Sequence, residues 1–203
     1  MTPQVKKFCF ILVPLLVVVF AGTTVLIILH TMTQERITEN RRQARLRVLD
    51  TVMPLSYNNN LYDDEIQVEN SGIAAGNLPL DVFRARYNDK PLGIIIMPVY
   101  AKGYSGKIEL IIGIDLGGKL LAVRTLKQNE SRGLGDQIDY TKSDWINLFA
   151  GLSLANPPVS DWAVTTDGGK IDQISGATIT SRGVVNAVRK SLEFYRDNRD
   201  KLY

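Results

Sequence analysis

With 203 residues, 24 Lys/Arg, 21 Asp/Glu and a formal charge of +3, the chain can fill one domain with a sizeable core and still spare a short extra segment. A single cysteine, Cys9, and a single histidine, His30, exclude an internal disulfide, a cysteine-ligated iron–sulfur cluster and a CxxCH haem attachment, so any electron-carrying role requires an organic cofactor. Residues 1–47 carry seven Lys/Arg against two acids and the remainder 17 against 19, which leaves the globular part without the basic face that binding to nucleic acid needs.

After a tail at residues 1–7, Phe8 to Leu29 is an uncharged apolar run of 22 residues. As a helix it would reach roughly 33 Å, enough to cross a bilayer core. It is longer than the apolar part of a cleavable signal and no small-residue cleavage site follows, so the expectation is an uncleaved transmembrane anchor in which Pro14 and Gly22 are tolerated. Cys9 inside it reads as packing, and His30 as an interfacial side chain rather than a metal ligand. Residues 30–54 read as a polar juxtamembrane helix that stops near Pro54. Its Arg36, Arg41, Arg42, Arg45 and Arg47 outnumber Lys6 and Lys7 on the other flank, and counting them favours a cytoplasmic globular part. The same arginines suit contact with anionic lipid or a neighbouring protein of a complex, against the plainer reading of a solvated helix face.

Residues 55–203 read as one α+β domain. SYNNNLYDDEIQVENSGIAAGNL is rich in Asn and Asp and suggests surface loop with at most one short strand. DVFRARY, LGIIIMPVYA, KIELIIGID and LLAVRTLK are β-rich, with a turn at NDKP and a hairpin at LGGK; together they predict a curved antiparallel sheet of four or more strands. Helices are expected at about 142–151 and 181–197 over one face. Gly113 to Lys119 spells G-x-x-x-x-G-K, but Leu120 replaces the required Ser/Thr and strands flank it, so it is a hairpin rather than a nucleotide loop. GYSG, Gly103 to Gly106, is not a nucleophile elbow, and His30 could not serve Ser105 as a base.

The most informative stretch is DQISGATIT, Asp172 to Thr180. Val184, Val185, Val188, Leu192 and Tyr195 follow at helical spacing, with Ser181 a plausible N-cap, so Thr178 and Thr180 fall just ahead of or at a helix N-terminus. Unpaired N–H groups and the positive end of the macrodipole favour a phosphate there. Gly176 and Ala177 let a bulky ligand approach the backbone. An ordinary helix cap is the competing reading. The loop ESRGLGDQIDY sets two glycines around Leu134, which suits close approach to a flat ring or simply a tight turn. Tyr104, Trp145 and Trp162 are stacking candidates, with a core position the weightier reading for each.

SGAT with an Asp three residues upstream resembles the flavinylation motif of membrane redox proteins. The apolar N-terminal run, GYSG, RGLGDQI, DWINLFAG, DGG and SGAT together are similar, in order, to the G subunit of the Rnf-type (Rsx) electron-transport complex, over nearly the whole chain. The C subunit of the sodium-pumping NADH:quinone reductase is a longer relative. The resemblance implies an N-terminal transmembrane helix carrying an FMN-binding domain. It also implies FMN attached by a flavin transferase through a phosphoester on Thr178, with Asp172, Ser175, Gly176 and Ala177 as recognition positions and Thr180 as the alternative acceptor. Leu134 would touch the isoalloxazine, with Gly133 and Gly135 leaving it room and Tyr104 nearby. Asp136 and Asp172 are structural or transferase-recognition acids.

The resemblance further implies an electron-carrying component of a complex that couples transfer between ferredoxin and NAD to ion translocation. It places the chain among other Rnf-type subunits in the inner membrane, single-pass, with the domain in the periplasm. A membrane-tethered scaffold without a redox group, and a flavin protein of another respiratory reductase, are the rival functions.

Overall fold

The computed structural model describes the backbone of residues 3–69, 72, 73 and 79–203; the side chains of 3–15, 31, 32, 35, 38 and 41 lie outside the described set. Met1–Arg47 and Val48–Tyr203 form separate units. The helix α1 runs Pro3–Asp50, continuous at residue 30, so that all but its last three residues belong to the first unit, and it ends near Pro54. Thr51 closes the helix, donating from N–H and hydroxyl to Val48 O at 3.2 and 2.6 Å. Described side chains begin at Leu16, part-way along the apolar run, and from there to Leu29 the large apolar ones are exposed. Among the described residues no helix is long and apolar enough to cross a membrane. Lys6, Lys7, Cys9, Pro14 and the first part of the expected anchor lie outside the described side chains, as does Arg41.

The second unit is an antiparallel meander of β1 (Glu65–Val68), β2 (Leu80–Tyr87), β3 (Lys90–Lys102), β4 (Lys107–Asp115) and β5 (Leu120–Lys127), each paired with the next. The loop expected before β2 thus holds one short strand, and part of it, residues 70, 71 and 74–78, lies outside the described set. β3 reads as an unbroken apolar run because both its faces are covered. Ile94 and Ile96 join the main core with Val82, Ile112 and Ile114. Ile95, opposite Phe83 in the register, points the other way, toward the side that holds Leu49, Val52 and Leu61. Gly113 belongs there too, since a Cβ on it would strike the carbonyl of Val52. Register shifts at Ala85/Arg86, Ile96/Val99, Glu109/Leu110 and Gly113/Ile114 mark bulges, which bend the strands.

The main face is covered by α2, Thr178–Asn198, which lies across β3 and β4. Its inward stripe is Val184, Val185, Val188, Leu192 and Tyr195, all buried. The helix expected at 142–151 is only a 3-10 turn, Trp145–Phe149. Its capping residue Ala150 already has extended ψ of 130° and donates to Asn147 O, which stops the turn from becoming an α-helix. Trp145, Phe149 and Trp162 pack on each other, edge-to-face at 5.4 Å and stacked at 6.5 Å. Both tryptophans are therefore core, as the tendency of the residue type suggests. Trp162 also donates to Pro157 O and Ser153 O, and Trp145 to Asp172 O.

Candidate functional site

α2 starts three residues before the expected cap. Ala177 occupies the N-cap position and Thr178 is the first helical residue. Ser181 is not the cap because its hydroxyl is used inside the turn: it accepts from Ile174 N–H at 3.0 Å and donates to Ala177 O at 3.1 Å. The segment Ile174–Ala177 is thereby folded back onto the first helical turn. Gly176 sits there at φ +75°, a left-handed conformation that a side chain would strain, and a Cβ on it would come within 3.0 Å of Leu134 Cδ2. The first helical hydrogen bond runs from Ser181 N–H to Ala177 O, so the N–H groups of Thr178, Ile179 and Thr180 precede the ladder.

Opposite this turn lies the loop after β5. Gly133, at φ +75°, donates its N–H to Asp136 Oδ1 at 2.7 Å, and Asp136 is also ion-paired to Lys142 at 2.6 Å. The Lys142 ammonium, helped by the Gly133 N–H, holds the buried Asp136 carboxyl below the ordinary carboxylate range. The loop so braced presents Leu134, which is 45% exposed. A carboxyl lowered on folding stabilises the native loop fully above its ordinary value and ceases to do so as the pH falls through the folded one. Amide protection at Gly133, taken relative to the intrinsic exchange rate at each pH, is therefore expected to fall below about pH 4. Asp136→Asn should exchange fast at neutral pH and lose that acid-dependent step; an unaltered profile would count against the brace.

The third wall is the β3–β4 hairpin, closed by Gly103 N–H to Gly106 O at 2.7 Å, with Tyr104 at its tip. Tyr104 is 71% exposed, so it is not core, contrary to the weighting from residue type: at the hairpin tip there is nothing for its ring to pack under. Together the three loops enclose a cleft of about 500 Å³ lined by Tyr104, Glu130, Ser131, Leu134, Gly135 and Gly176 to Thr180. Of the residues singled out in the sequence, Tyr104, Leu134, Gly135, Gly176, Ala177, Thr178 and Thr180 meet there. Asp172 and Ser175 lie at the surface on the approach to the turn, and Gly133 shapes its loop from outside the lining. Gly135 is hemmed in, since a Cβ on it would lie 2.8 Å from Glu130 Cβ and 3.1 Å from Thr180 Oγ1.

The two threonines differ. Thr180 is 1% exposed and donates its hydroxyl to Glu130. Thr178 is half-buried on the cleft wall, and its hydroxyl takes no hydrogen bond from the described residues. Glu130 escapes a reading of the sequence altogether: one acid in the polar stretch KQNESRGLGD carries no mark of burial. Ile179, 49% exposed at the rim, escapes it too, because it lies outside the apolar stripe of α2. Behind the turn, the DGG loop is tied to α2 by Arg182, which donates from Nε and Nη2 to Asp167 at 2.5 and 2.7 Å and keeps that carboxyl low.

Residues 103–193, from the hairpin glycine into α2, match the FMN-binding domain family, so all three walls of the cleft fall inside the match. Among curated proteins, the G subunit of the ion-translocating oxidoreductase complex of Pseudomonas aeruginosa is 37% identical over 182 residues, 89% of this chain and 85% of the relative. The G subunit of the same complex from Salmonella typhi is 41% identical over 173 residues, 84% and 83%, and that from Photorhabdus laumondii 38% over 168 residues, 81% and 78%. The chain belongs to the G-subunit family of ion-translocating oxidoreductase complexes. Membership bears out the expectations of FMN as cofactor and of an electron-carrying component within a multi-subunit translocating complex. An ion-translocating complex works at a membrane, so membrane association follows at that coarse level.

The cleft fits FMN on its own terms. Its volume lies within the range of organic cofactor pockets, and Leu134, Tyr104, Ala177 and Ile179 give it apolar walls for a flat ring. The N–H groups of Thr178, Ile179 and Thr180, which precede the helical ladder, are donors of the kind that a phosphate group requires.

Proposed function

We propose that the Thr178 hydroxyl carries FMN through a phosphoester, with the isoalloxazine in the cleft beside Leu134 and Tyr104. The observation that supports this is the contrast between two nearby alcohols: Thr178 faces the cleft with an unengaged hydroxyl at the first position of α2, whereas that of Thr180 is committed to Glu130. The N–H groups of Thr178, Ile179 and Thr180 offer donors to the phosphate oxygens, and the macrodipole favours its charge. Gly176 and Ala177 keep the approach open, while Asp172 and Ser175, both exposed, are positions a flavin transferase can read from solvent. When bound, FMN supplies the electron chemistry; the chain positions it, limits water on the Leu134 side and adjusts its surroundings. A covalent link suits a cleft this open, because affinity alone need not retain the cofactor.

The finer placement belongs to the same reading. Residues 8–29 act as a single-pass anchor in the inner membrane, 30–54 as the juxtamembrane segment in contact with lipid and neighbouring subunits, and 55–203 as the FMN-binding domain on the periplasmic side. Electrons pass between ferredoxin and NAD through this and other Rnf-type subunits, which move the ion. Intact-mass measurement of denatured, detergent-purified protein tests the central claim: the chain should be heavier than its amino acids by one FMN less water, with the adduct on the peptide containing Thr178. A mass equal to the amino acids alone, from cells with an active flavin transferase, would refute it.

A further inference from the structure

Glu130 is the point at which the three walls of the cleft join. Its Oε2 accepts from Tyr104 N–H at 3.1 Å and from the Thr180 hydroxyl, and its Oε1 accepts from Ser105 N–H at 2.9 Å. It therefore ties the β3–β4 hairpin to the first turn of α2 from its own place at the head of the Leu134 loop. Two glycines exist to admit it. A Cβ on Gly103 would collide with its carboxylate, and a Cβ on Gly135 would lie 2.9 Å from Oε2. Glu130 is 7% exposed, and every partner of its carboxylate is a donor, so the side chain acts only as an acceptor.

Asp136, a few residues on, is paired with Lys142; Glu130 has no Lys or Arg partner among the described residues. Its charge is met by two backbone dipoles and one hydroxyl, which soften a negative charge without cancelling it. It also lines the cleft. In a partly desolvated wall, a charge acts on a neighbouring group far more strongly than it would in water.

We propose that Glu130 is a positioning and tuning residue of the flavin site: it locks the three loops into one cleft, and its carboxylate makes a flavin held there harder to reduce. The proposal rests on the reading that the cleft holds FMN through Thr178. A fixed negative charge beside the ring opposes the arrival of electrons, and thus lowers the midpoint potential relative to a neutral wall.

Two variants separate tuning from mere support. Glu130→Gln removes the charge at nearly the same size, at the cost of setting its NH2 against one backbone donor, so the midpoint potential of the flavin is expected to rise, changing the reduced-to-oxidised ratio at a fixed potential by about tenfold. Thr180→Val keeps the carboxylate and strips one donor from it, so its charge is less compensated and the potential is expected to fall. A purely structural role would loosen the cleft in both variants and move both potentials the same way.

The experiment is a spectroscopic potentiometric titration of full-length, detergent-solubilised protein made together with a flavin transferase, alongside in-gel fluorescence after denaturation. Opposite shifts support the proposal. An unmoved or lowered potential in Glu130→Gln, or shifts of one sign in both, would overturn it. Should Glu130→Gln yield no coloured protein, Thr180→Val decides together with iodide quenching of its native flavin fluorescence: a fall in potential at unchanged quenching supports tuning, whereas a fall with increased quenching, or no fall, rejects it. Wild-type protein without fluorescence after denaturation defeats the Thr178 reading instead, so the two failures are told apart.

Discussion

A Thr178→Val variant is expected to lose covalent flavin completely, with in-gel fluorescence at background after denaturation, while the fold is retained. Valine is nearly the shape of threonine but has no alcohol to esterify. Because the Thr178 hydroxyl bonds to nothing among the described residues, removing it should alter stability by no more than about 0.5 kcal/mol. A lost label can then be read as lost chemistry and not as lost structure.

Thr180→Val is the matched comparison and should behave in the opposite way. It keeps the label, because the phosphoester is elsewhere, but gives up a buried hydrogen bond to a carboxylate, at a cost of about 1.5–3 kcal/mol. Fluorescence of the denatured proteins and a thermal melt of each variant therefore give crossed results. Label kept in Thr178→Val and lost in Thr180→Val would transfer the assignment to Thr180, and would require the Glu130 contact to open before modification.

Much of the scaffold is legible in the sequence because strands and helix announce themselves by period. β2 to β5 coincide with the apolar runs, and α2 with a stripe at helical spacing. The start of α2 is not, because capping propensity looks at residue type. Ser181 has the right side chain, yet it serves as an internal brace, while Ala177, which has no capping group, holds the N-cap position. The 142–151 segment shows the same limit: its aromatic residues are core, but the chain turns away after one 3-10 turn to carry Trp162 onto Phe149.

In the site, the glycine and threonine signals can be read because they sit in sequence beside the element they serve. Glu130 cannot, since its partners lie 25, 26 and 50 residues away and only the folded chain brings them together. Tyr104 departs from expectation for a related reason. Aromatic burial is a tendency of the residue type, and a hairpin tip overrides it.

Gly183→Val should be the most damaging single substitution on α2, lowering stability by about 3 kcal/mol or more. Helix propensity alone argues the other way, because glycine in a helix interior costs about 1 kcal/mol relative to alanine and valine would recover part of that. Packing decides the sign. A Cβ on Gly183 would run into the carbonyl oxygen of Lys102, which is backbone at the end of β3 and cannot rotate aside as a side chain could. Either α2 lifts from β3 or the strand end shifts, and Lys102 leads directly into the Gly103 hairpin that Glu130 clasps. The thermal midpoint should fall by roughly 6–12 °C for a protein of this size. Asn186→Ala, exposed on the same helix, should stay within about 0.5 kcal/mol of the parent. The loss should extend to the cleft, since the helix that lifts is the one that begins with Thr178; flavin loading should drop along with stability, although no atom of the proposed phosphate site has been changed. A Gly183→Val protein as stable as its parent would show that α2 and β3 do not approach as closely as this.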